Sequence, residues 1–146
     1  MKKIVLIWCW CFSLSFAGTP FTLSEIDELY VVVENNTKLV DQKTEAKLKA
    51  MMLTNLQELG VKTENYPSES LVLMISQNSF GNMKFLNAKM MVISQVKRAK
   101  AKESTLGIIY MIDDLFDTTE PNEDMVESLE YMLSEFSDQF KEDSSQ

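Results

Sequence analysis

Apolar residues beyond position 20 fall into four strand-like runs and two helical stripes. Leu29-Tyr30-Val31-Val32-Val33 is rich in β-branched and aromatic residues and stops at Glu34-Asn35-Asn36, which predicts a buried strand. Asn35-Asn36-Thr37 is formally a glycosylation sequon, but its residue types are those of a turn. From Thr44 to Leu59, the residues Leu48, Met52, Leu56 and Leu59 recur at helical spacing, and Gly60 stands where a C-terminal cap belongs. Tyr66-Pro67-Ser68-Glu69-Ser70 is a turn, and Leu71 to Ile75 is a short apolar run of the kind a central strand carries.

Gly81-Asn82 then signals a hairpin leading into the alternating stretch from Lys84 to Val96. There Leu86, Ala88, Met90, Val92 and Val96 share one face, and Phe85, Asn87, Lys89, Met91, Ile93 and Gln95 share the other. Leu106 to Ile112 is a further strand, so residues 97 to 104 form the tip of a second hairpin. A closing helix carries Met125, Leu129, Met132, Leu133, Phe136 and Phe140 on one face, with Thr119 or Asn122 as its cap and Pro121, Glu123 and Asp124 in or near its first turn. The pattern predicts an α+β fold in the order β-α-β-β-β-α: one sheet of about four mostly antiparallel strands, with both helices packed on one face. In element order alone this is similar to small periplasmic modules in which such a sheet serves as an interaction domain of envelope machinery.

The N-terminus sets the cellular context. Met1-Lys2-Lys3 is a basic lead, Ile4 to Phe16 an apolar run, and Ser15-Phe16-Ala17 places small residues three and one before a cleavage site. The reading is a signal peptide over residues 1–17, one domain over 18–141 and a tail that frays over 142–146. The apolar run falls short of the ~20 residues of a spanning helix. Gly18 occupies the place where a lipoprotein would have cysteine, so no stable membrane anchor is expected.

Cleavage removes both cysteines, both tryptophans, Lys2 and Lys3, and takes the net charge from -8 to -10. A cysteine-free exported chain fits a bacterial periplasm, or secretion if the host is not Gram-negative. The acidic balance disfavours nucleic acid and anionic membranes as partners.

Missing residues close off chemistries. With no histidine, and no cysteine beyond the signal, the chain cannot build Ser-His-Asp or Cys-His nucleophiles, His/Cys zinc sites or His-ligated haem. Ser94-Gln95-Val96-Lys97 has S-x-x-K spacing, but that motif needs a helical turn and this stretch reads as strand. Phosphate-cradling glycine motifs are absent. Asp113, Asp114, Asp117 and Glu120 are expected to cluster after the last strand, with a spacing that matches no EF-hand loop. No cofactor, metal or catalytic residue is assigned, and the chain is expected not to be an enzyme.

Two features point instead to partners. Met90-Met91 places Met91 with Phe85 and Ile93 on the second face of its strand, where a flexible apolar patch can bind protein. Lys97, Arg98, Lys100 and Lys102 crowd the second hairpin tip, whereas 12 of the 22 acidic residues lie between Asp113 and Asp143. Such a tip either solvates its charges and discourages edge pairing, or contacts an acidic partner. The expected function is a periplasmic protein-interaction module whose partner is another envelope or periplasmic protein, or a second copy. The alternatives are a small-ligand or ion carrier using the uncovered sheet face and, behind that, a carboxylate-dependent hydrolase.

Overall fold

A computed structural model describes residues 22–63, 68–97, 100 and 103–145. The signal segment, Arg98 and Lys102 lie outside the described residues. Six elements follow one another: β1 (Tyr30–Asn35), α1 (Gln42–Glu58), β2 (Ser70–Phe80), β3 (Met83–Lys97), β4 (Ser104–Asp117) and α2 (Pro121–Ser144). The four strands form one mixed sheet in the order β1-β2-β3-β4. β1 and β2 are parallel, with α1 as their crossover, and the two remaining pairs are antiparallel hairpins.

Both helices pack on the same sheet face. Val31, Leu71, Leu73, Ile75, Leu86, Ala88, Met90 and Val92 meet Leu48, Met52 and Leu56 of α1 and Met125, Leu129, Met132, Leu133, Phe136 and Phe140 of α2 in one buried cluster. The α+β fold and element order expected from the pattern are those observed.

Local chemistry fixes the element ends. Asp41 caps α1, its Oδ1 accepting from the Thr44 N–H at 2.7 Å. At the other end Gly60 has φ +77°, the Gly60 N–H donates to the Gln57 carbonyl and the Val61 N–H to the Leu56 carbonyl, which together make a Schellman cap. Gly81 has φ +60° and Asn82 a negative φ, the sign pattern of a type II′ turn, and Phe80 pairs with Met83 across it. Asn35 serves turn chemistry: its Nδ2 donates to the Val40 carbonyl and its Oδ1 accepts from the Thr37 N–H.

Three boundaries differ from the sequence expectation. The N-cap of α2 is Glu120 rather than Thr119 or Asn122, and Asp124 reaches back to accept from the Glu120 N–H and the Thr118 hydroxyl. β4 runs on through Asp113-Asp114-Leu115-Phe116-Asp117, so those three aspartates lie within the strand rather than after it. α2 continues to Ser144, beyond the end expected at Lys141, and the buried Asp143 accepts from the Leu23 N–H at 2.8 Å and from Gln139.

Candidate functional site

The face of the sheet turned away from the helices is built from alternate residues of all four strands. Register places them in rows: Tyr30, Ser70, Ile93 and Ile108; then Val32, Val72, Met91 and Met111; then Glu34, Met74, Lys89 and Asp113. Further along, Asn87 stands beside Leu115, and Phe85 beside Asp117. Apart from Ser70, the first two rows are an apolar belt crossing the sheet. Its centre, Val72 and Met91, is buried. On β4 the same face exposes Leu106 by 64 %, Ile108 by 50 %, Met111 by 53 % and Leu115 by 58 %. Leu106, Ile108 and Met111 follow one another on this face, with Asp113 between Met111 and Leu115, and exposed apolar side chains so grouped on a sheet edge are the kind of surface a partner covers.

β3 therefore splits its side chains as the alternation predicts. Phe85, Met91 and Ile93 all stand on the helix-free face, spread along about 26 Å of strand rather than gathered in a pocket. Lys97, exposed, closes the same line of odd-numbered residues, and Lys100 is exposed in the loop beyond it. Of the basic tip, Arg98 and Lys102 fall outside the described residues. Sequence reasoning missed the β4 half of the face. The apolar residues Leu106, Ile108, Met111 and Leu115 change parity between Ile108 and Met111, because the register shifts there and Ile109 has no partner of its own. A strict two-residue period read from sequence places them on different faces.

The alternative chemistries are also located. Ser94 is buried on the helix face, where its hydroxyl donates to Glu69, whereas Lys97 is exposed on the opposite face, so the two cannot act as a serine–lysine pair. Asp113 faces Lys89 on the helix-free side, and Asp114 points to the helix side, where its Oδ2 accepts from the Ser128 hydroxyl at 2.8 Å. Among the described residues no group of acidic side chains comes together to hold a metal ion.

On the helix side, the start of α1 meets the start of α2. The Asp41 N–H donates to Asn122 Oδ1 at 3.0 Å and Asn122 Nδ2 returns a bond to Asp41 Oδ2 at 3.2 Å. The backbone bond from Thr44 holds the Asp41 carboxyl below the usual carboxylate range. An open groove of about 590 Å³ runs between the helices, lined by Lys43, Lys47, Glu123, Val126, Glu127 and Glu130 among others. Its lining mixes both charge signs and offers no convergent donor set. Nearby, Glu120 is raised by sharing a hydrogen bond with, and being repelled by, Glu123.

No family model matches the chain, and no curated protein matches it in sequence. Among solved structures it is similar to a minor lipoprotein from Acinetobacter baumannii, at 13 % identity and a TM-score of 0.30, covering 77 % of this chain and 91 % of that one. A likeness of that size carries no argument about fold or function. Among the described residues no helix is long and apolar enough to cross a membrane.

Proposed function

We propose that the chain is an exported, non-enzymatic protein of the bacterial cell envelope that works by binding protein through the helix-free face of its sheet. The observation that carries this is the apolar belt on that face, ending on β4 in Ile108 and Met111, each half exposed. Burying a large apolar side chain stabilises a contact by about 1.5–3 kcal/mol. The other sheet face is already filled by α1 and α2, so the belt is surplus to the core. Export rests on the basic lead, apolar run and small-residue cleavage site of residues 1–17. The lack of histidine, and of cysteine beyond the signal, restricts the chemistry to carboxylate, hydroxyl, lysine and tyrosine groups, which supports binding over catalysis.

The test is capture of bound protein from the exported fraction by wild type and by Met111→Lys, with Glu130→Lys on the helix side as control. A charged side chain in the belt is expected to lower recovery of the bound protein by ~10-fold or more, while circular dichroism and melting stay those of wild type. Undiminished recovery with Met111→Lys, or loss with Glu130→Lys alone, contradicts the reading.

A further inference from the structure

We infer that the protein seated on the helix-free face is a second copy of this chain, packed face to face about a two-fold axis that crosses the strands at the Met91–Met111 row. This rests on the reading of that face as a protein-binding surface, and it names the occupant. Three observations lead to it.

The first is where the charge lies. α2 holds eight acidic residues and one lysine, all on the side of the sheet away from the face. The face itself is nearly balanced, with Glu34, Asp113 and Asp117 against Lys89 and Lys97. Two copies that met through their helices would press like charges together. Two that meet through this face hold the acidic helices at the far sides of the pair, where repulsion is least.

The second is the polarity along the strands. One end of the face carries Lys97 with Lys100 just beyond it, and Arg98 and Lys102 belong to the same loop in sequence. The opposite end carries Asp117, beside Phe85. Lys97 and Phe85 are each six positions from Met91, and Phe85 is the ladder partner of Asp117. An axis across the strands at Met91 therefore lays Lys97 of each copy over Phe85, beside Asp117, of the other. Both ends gain opposite-charge contacts, Val72, Met91 and Met111 meet their own copies at the axis, and the flanking Ile93–Ile108 row lies over Lys89 and Asp113 of the other copy. An axis along the strands would stack basic tip on basic tip.

The third is size. Four strands about 4.8 Å apart and about ten residues at ~3.3 Å each give the face roughly 600 Å² of flat area per copy, before side-chain relief is added. Doubled, that reaches the ~1,200 Å² at which specific interfaces begin. Sheets stacked ~10 Å apart in an aligned sandwich are the ordinary way such faces meet.

Pairing across the edges is the less favoured geometry. β4 carries the irregularity at Ile109 and the inward-pointing Asp114, both of which blunt an edge strand.

The decisive variants exploit distance. Within one copy Lys97 and Asp117 lie at opposite ends of the sheet, about 40 Å apart at ~3.3 Å per residue, too far to compensate for each other. Sedimentation velocity of the exported protein at about 50 µM should give a mass of two chains. Lys97→Glu and Asp117→Lys should each weaken the dimer ~10-fold or more, and the double variant should regain affinity to within about 3-fold of wild type. Circular dichroism checks that each variant is folded. A mass of one chain for the wild type overturns self-pairing, as does a double variant weaker than either single one. The surface reading is judged separately: if the wild type is monomeric but Met111→Lys still loses its captured protein, the face binds a different protein.

Discussion

Tyr110 shows how a single residue reports on the packing of α2 against the sheet. Its ring meets Phe136 edge-on, with centroids 5.4 Å apart. Burial first, then the neighbouring charges of Glu135 and Tyr131, push its hydroxyl up from 10 to about 12. In the unfolded chain it ionises near the ordinary value, so between those two pH values the folded state holds more protons. Stability is therefore full below the ordinary tyrosine pKa and is lost as pH rises toward the raised one. Denaturation followed across that window should show a steeper loss for wild type than for Tyr110→Phe. Parallel curves would mean that the hydroxyl is not desolvated by the helix. At this scale the core was legible, because Leu129, Leu133 and Phe136 keep helical spacing and all three are buried. Asp113 and Asp114 were not, since aspartate disfavours strands and only the pairing with Lys89 and Ala88 holds them in the ladder.

Among the elements, α1 has the most explicit local instructions. Asp41 at one end and Gly60 at the other are side chain and backbone devices that any neighbouring sequence would need. At Gly60 a Cβ would meet nothing within 4 Å, so replacing it by alanine tests the backbone alone. Gly60→Ala is expected to cost about 1–2 kcal/mol, measured by urea denaturation with an unchanged slope. A neutral result would show that the loop after α1 relaxes to negative φ without disturbing Val61. The other elements were legible in type but not in extent. β2 and β4 outrun their apolar runs because polar residues such as Ser76, Asn78 and Asp117 extend the ladder with a neighbouring strand as template. That support comes from non-local pairing, which a window along the chain does not contain. The start of α2 was misplaced for a related reason: Asp124 and Thr118 secure it from both sides, so Glu120 can sit at the N-cap without using its own side chain.

The whole molecule separates three surfaces that the linear sequence interleaves: an acidic helix layer, a buried layer, and a helix-free sheet face with an apolar middle and oppositely charged ends. The helix-free face draws on all four strands, and its β4 portion follows a register shift, so composition and period revealed only its β3 line of Phe85, Met91 and Ile93. The basic tip and the acidic C-terminal third were visible as charge blocks, but the position of Lys97 and Asp117 at opposite ends of one face depends on the β3–β4 pairing. The helix-free face, not the helix layer, is proposed to meet other protein in the cell. A photo-crosslinking residue placed at Met111, and in a second strain at Glu130, tests it most directly. A crosslinked adduct is expected from position 111 and none from position 130. Adducts from 130 alone, with 111 silent, would contradict it.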